Sequence, residues 1–152
     1  MPELKILNSR EIKEILKMIE EQWGAKLKLD CGFLKNLKNR VFIIDKDISK
    51  IDTSKLRLNS AGMYFCELDS KGIRLSIEGS QIVGNAATKN IVELNSEETL
   101  NWLKGEALQK ECSNCNGFVI LKNKKDFLGS GKYANGKILN YVGKTRRVNA
   151  IQ

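Results

Sequence analysis

The most hydrophobic pieces of this chain are only four residues long, such as Val41-Phe42-Ile43-Ile44 and Phe118-Val119-Ile120-Leu121. Runs of that length suit strands, whereas a membrane-spanning helix needs about 20 apolar residues. The start of the chain differs. Ile12, Ile15, Leu16, Ile19 and Trp23 recur at helical spacing, with Lys13, Glu14, Lys17, Glu20 and Glu21 off that face. This spacing predicts an amphipathic helix over 8–22. Asn8 caps it, Glu11 completes a capping box, and Gly24 stops it.

Strands dominate the chain beyond Gly24. Phe33-Leu34 and residues 41–44 read as a hairpin around a 35–40 turn. Residues 47–52 read as a short helical turn. Met63 and Phe65, then alternating Ile73, Leu75 and Ile77, give two more strands around Asp69-Ser70-Lys71-Gly72, and one helical turn is expected over 81–87. After a boundary at 88–90 come a short strand at Ile91, Val92 and Leu94 and a helix capped by Asn95 with Glu98, ending at Lys104-Gly105. Three strands close the chain, over 118–121, 127–133 and 137–142. Asn135-Gly136 between the last two is a type I′ hairpin signal, because both residues tolerate positive φ. The expectation is an α+β protein, with a small α/β domain over 1–90 and a mostly-β domain over 91–152.

The charge is uneven. Residues 1–121 hold eighteen Lys and Arg against seventeen Asp and Glu, a net of +1. Residues 122–147 hold eight against Asp126 alone, a net of +7. So strong an asymmetry points to an anionic partner, most often nucleic acid, and otherwise to a solvated basic face. The opening segment lacks the apolar core of a secretion signal, which gives a cytoplasmic expectation with no membrane partner.

Chemistry is harder to find. The chain has no histidine, which removes the commonest general base and zinc ligand. The glycine-rich stretch FLGSGKYANGK invites a nucleotide-binding reading. A Walker A loop ending at Gly131-Lys132 needs glycine at 126 and a hydroxyl at 133, where Asp126 and Tyr133 stand. A dinucleotide fingerprint from Gly129 runs into a hairpin, not a helix N-terminus. The glycines instead suit a bulge or close backbone approach. Cys112-Ser113-Asn114-Cys115 is half a zinc site, and Cys31 and Cys66 would have to complete it from separate strands. Read alone it is a polar loop with two ordinary thiols, since a cytoplasmic setting disfavours a disulfide. No paired carboxylates have acid–base spacing. The expectation is therefore a protein without catalytic residues, metal or cofactor.

One resemblance is specific. ATKNIVELNSEETLNWLKGEAL followed by GFVILKNKKDFLGSGKYANGKILNYVGKTRRV resembles a PUA domain, the RNA-binding pseudobarrel named for pseudouridine synthases and archaeosine transglycosylases. It is similar to the PUA region of Nol/Nop/Sun (Fmu) RNA cytosine methyltransferases, also found in archaea as a separate small protein. FLKNLKNRVFIIDKDISKID and SAGMYFCELDSKGIRLSIEGSQIVG are similar to the domain that precedes PUA in the Nip-seven ribosome-assembly family. The resemblance implies non-catalytic binding of structured RNA, rRNA or tRNA, in ribosome biogenesis or RNA modification. An RNA methyltransferase or ribosome-assembly proteins are its implied partners, and the alternative is a protein–protein adaptor. By motif it singles out Lys104, Gly105, Gly129, Gly131 and Lys132, with the basic end Lys144, Arg146 and Arg147. Tyr133 and Tyr141 are candidates for base stacking, with at least one expected in the core, as is Trp102.

Overall fold

The computed structural model describes residues 4–45 and 62–141. The turn expected over 47–52 and the end of the last strand at Val142 lie outside them. The first half comprises β1 (Lys5–Ile6), α1 (Ser9–Trp23), β2 (Cys31–Lys35), β3 (Arg40–Asp45), β4 (Met63–Asp69), β5 (Gly72–Leu75) and α2 (Ile77–Gly84). The second comprises β6 (Ile91–Glu93), α3 (Ser96–Leu103), β7 (Leu108–Gln109), β8 (Gly117–Asn123), β9 (Asp126–Ala134) and β10 (Lys137–Asn140). The fold is α+β. Strands β1 to β5 form one antiparallel sheet in sequence order. The other sheet runs β6-β8-β9-β10-β7, with β6 parallel to β8, and curls into a half-barrel.

Local chemistry explains most of these elements. The Asn8 side chain accepts from the Glu11 N–H at 2.8 Å, and Glu11 accepts from the Asn8 N–H at 3.1 Å. Gly24 closes α1 at φ 65°, its N–H donating to the Glu20 carbonyl. Asn135 and Gly136 take φ of 52° and 76°, turning β9 back into β10. Three features differ from the sequence expectation. Ile77 does not continue β5: Ser76 accepts from the Gly79 N–H at 2.9 Å and starts α2, so a helix replaces the turn expected over 81–87. The two-residue strands β1 and β7 are too short to show alternation. Cys112 and Cys115 are joined in a disulfide, correcting the expectation of two free thiols. A turn in which the Cys115 N–H donates to the Cys112 carbonyl brings their Cα atoms to 5.4 Å, within bonding reach. Cys66, the distant candidate partner, is sealed in the core, where burial pushes its thiol up to about 12.

The sheets divide between β5 and β6, but the core does not. Ile15, Ile19, Trp23, Phe33, Phe65 and Ile73 from the first half pack in one cluster with Phe118, Ile120 and Phe127 from the second. A smaller cluster under α3 holds Val92, Leu94, Trp102, Leu121 and Ile138. Polar bonds pin the seam. Gln22 Nε2 donates to the Asn116 and Phe118 carbonyls at 2.7 Å each. Asn90, buried at φ 55°, donates to the Gln22 carbonyl at 2.6 Å and accepts from the Asn116 N–H at 2.9 Å. Helix α2 then lies along β9, with Gly84 against the Phe127 ring.

This seam makes the two halves one cooperative unit. Trp23 reports on the shared cluster and Trp102 on the other, so urea transitions of W23F and W102F, followed through the remaining tryptophan, should each show one step that coincides with the circular dichroism transition of the same variant. Asn90→Ala should lower stability by roughly 2–4 kcal/mol, through a left-handed alanine and unpaired buried groups, and Asn90→Gly by less. Fluorescence and circular dichroism transitions that separate would contradict the shared core.

Candidate nucleic-acid interface

Helix α3 is set by its own capping box. Asn95 accepts from the Glu98 N–H at 2.8 Å, and Glu98 accepts from the Asn95 N–H at 3.0 Å. The Asn95 N–H, helped by the Lys110 ammonium, holds the Glu98 carboxyl below the ordinary carboxylate range. At the far end Lys104 caps the helix, and Gly105 turns away at φ 94°. Asn140, at the end of β10, donates to the Trp102 and Glu106 carbonyls at 2.7 and 2.9 Å. Asn140 also pairs with Gly131. Lys104, Gly105 and Gly131 therefore converge on one junction. Asn140 ties it together, although nothing in the sequence singled that residue out. The chain leaves the described residues just beyond, at Tyr141. Lys144, Arg146 and Arg147 lie outside them.

The two glycines of β9 are buried. A Cβ on Gly131 would strike the Leu139 carbonyl, the Trp102 ring and Ile138. Gly129, at φ 111°, donates its N–H to Ser80 Oγ at 3.0 Å. Close backbone approach is what these glycines provide, and the groups that approach come from the chain's own α2, α3 and β10. Tyr133 is likewise engaged: its hydroxyl donates to Glu111 at 3.1 Å and accepts from the Cys112 N–H at 3.1 Å. Tyr141 stays exposed, and Trp102 is fully buried.

Among the described residues, the lysines of the basic run do not gather in one patch. Lys124 and Lys125 sit in the β8–β9 turn and Lys137 at the opposite end of β9. Nine residues of strand put those ends about 27 Å apart. Lys132 lies between them and pairs across the sheet with Phe118, so it faces the seam. Its ammonium meets that of Lys71, from the β4–β5 turn, and this neighbour holds its pKa below the ordinary lysine value. Asp69 lies in the field of both Lys132 and Arg74, and is held below the ordinary carboxylate range chiefly by the Lys71 N–H.

Beside these groups a cleft of about 270 Å³ opens between the sheets, with Gly129 and Ser130 on its β9 wall. Arg40, Tyr64, Arg74, Ser76, Glu78 and Tyr141 line the rest. The Arg74 guanidinium lies 4.5 Å from the centre of the Tyr141 ring, and that of Arg40 lies 5.9 Å from Tyr64. Glu67 accepts from both arginines, at 3.1 and 3.3 Å. Alternation within β5 puts Arg74 opposite buried Ile73 and Leu75. Its partner Tyr141 is too distant in sequence for such a pattern to reveal.

Comparison with known proteins agrees with this architecture. Residues 89–148 match the model of the methyltransferase RsmF PUA domain. The chain is similar to ribosomal RNA small subunit methyltransferase F of Aeromonas salmonicida and of Aeromonas hydrophila, each 25% identical over 134 residues, 88% of this chain and 27% of the relative. The same-named protein of Vibrio cholerae is 22% identical over 128 residues, 84% of this chain and 26% of the relative. The chain thus spans about a quarter of the length of these relatives, and the likeness extends well ahead of residue 89.

The geometry sets two expected outcomes. Gly131→Ala should cost about 1–3 kcal/mol in urea unfolding, because neither the carbonyl nor the Trp102 ring can yield freely; an unchanged midpoint would show that the junction is loose. Glu98 has a folded pKa below its unfolded one, so its contribution is complete above the unfolded value and is lost as pH falls through the folded value. Glu98→Gln should therefore lower stability at neutral pH and flatten the acid limb of the stability curve measured by urea titration.

Proposed function

We propose, from the likeness of residues 89–148 to a PUA domain, that this chain is a non-catalytic RNA-binding protein acting on structured RNA in the setting of small-subunit rRNA modification or ribosome assembly. The match of that segment to the RsmF PUA domain is the observation that carries the reading. The net of +7 in residues 122–147 supports it, since Lys and Arg neutralise phosphates and release counterions. In this reading Lys104, Lys132, Lys144, Arg146 and Arg147 meet the sugar-phosphate chain, and Gly105 admits it closely. Gly129 and Gly131 set the β9 backbone on which Lys132 stands. The relatives are named as methyltransferases, and the chain matches about a quarter of each. Its own part is recognition of RNA, in the same chain as a methyltransferase or as a partner of one.

A hairpin RNA titrated against salt tests this. Affinity should fall steeply between about 50 and 200 mM salt, as several phosphate contacts require. Replacing Lys144, Arg146 and Arg147 together with alanine should weaken binding and reduce the slope of log K against log salt by about 2–3. An unchanged slope would leave the tail as a solvated surface. Weak salt dependence throughout would favour the adaptor reading, in which an apolar surface docks a protein.

A further inference from the structure

We propose that the cleft between the two sheets receives a single unpaired RNA base, stacked on Tyr141 and Arg74, with the adjoining phosphate held between Lys71 and Lys132. This deepens the RNA-binding reading and rests on it. Four observations carry it. The first is shape: at about 270 Å³ the cleft sits at the small end of ligand pockets, room for one nucleotide but not for a strand. The second is surface. Two flat guanidinium groups lie over two tyrosine rings, at 4.5 and 5.9 Å, and aromatic faces and arginine planes are the surfaces on which unpaired bases stack. Glu67 holds both arginines from its two oxygens, so these planes are oriented before any ligand arrives.

The third observation is charge. Arg40 and Arg74 are balanced by Glu67, which bridges both, and by Glu78 in the cleft lining. A balanced, aromatic-walled cleft suits a neutral ring better than a phosphate or a phosphorylated peptide. The fourth supplies the phosphate site next to it. Lys71 and Lys132 come from opposite sides of the seam. Gly72, next to Lys71, lies against the Phe118 ring, and Phe118 pairs with Lys132 across β8 and β9, so the two ammonium groups face each other as like charges that an anion between them relieves. Phe118, the cross-strand neighbour of Lys132, also lies against the Tyr141 ring with centroids 6.1 Å apart, which places the lysine pair beside the stacked tyrosine. Base and phosphate sites thus share the seam, and both need the two halves docked.

Two RNA duplexes of equal length test this, one blunt and one carrying a single bulged 2-aminopurine. The wild-type protein should bind the bulged duplex roughly ten-fold more tightly and quench the bulged base, as stacking on an aromatic ring does. Tyr141→Leu keeps bulk against Phe118 and removes the stacking face. It should bring the bulged duplex to the blunt affinity and abolish quenching, while changing blunt binding less than about two-fold. Arg74→Lys should lose part of the preference. Equal affinity of the wild-type protein for both duplexes, with steep salt dependence, would overturn the cleft and leave RNA binding intact. No binding to either at low salt would overturn both. Preference retained in Tyr141→Leu would place the bulge elsewhere. Adenosine monophosphate should fail to displace the bulged duplex at millimolar concentration; displacement at micromolar concentration would make the cleft a free-nucleotide pocket and overturn its assignment to RNA.

Discussion

Phe118, Ile120 and Phe127 leave the second sheet and enter a core built on α1 and the first sheet. The burial of these three side chains fixes the relation of the two halves. Fully burying a side chain of this kind is worth about 1.5–3 kcal/mol, so three of them outweigh the polar bonds around them. The bonds of Gln22 and Asn90 then select one docking geometry from the many that apolar contact alone would permit. From that geometry come the position of α2 along β9, the meeting of Lys71 with Lys132, and the cleft in which Arg74 covers Tyr141.

The chain also shows how a basic segment is used when it forms part of a sheet. Residues 122–141 do not make a cationic blob. Their lysines are strung along β8, β9 and β10, and burial of the intervening residues decides which way each faces. Lys122 lies over the Phe127 ring at 5.5 Å, Lys124 and Lys125 occupy a turn, and Lys132 faces the seam. Among the described residues, Lys132 is the one shown to meet a cation from the other half, Lys71. The lysines of the described residues therefore follow a line across the molecule, not a single concave patch.

Much of the fold was readable because it is local. Capping boxes at Asn8 and Asn95, the stop at Gly24 and the Asn135-Gly136 turn each depend on neighbours within a few residues, and each is in place. Most of the features that were not readable depend on partners far along the chain. Ser76 starts a helix while bonding to the Tyr64 or Phe65 carbonyl. Gly131 is small because Trp102 presses on it. The disulfide is local, joining cysteines three residues apart, and was missed because the expected cytoplasmic setting argued against it. The same division applies to the site. Lys104, Gly105 and Lys132 were legible as motif positions. Arg40, Tyr64 and Arg74 were not, since they become a site only when Tyr141, far down the chain, is brought to them.

The account stands on RNA meeting a surface that both halves build. Hydrogen–deuterium exchange of the whole chain, with and without a saturating hairpin RNA, measures this most directly. The account predicts that protection appears together in the β4–β5 turn around Lys71–Arg74 and in β9 around Ser130–Lys132, with further protection at Lys104-Gly105. Protection confined to one half, with the other unchanged at saturation, would contradict it.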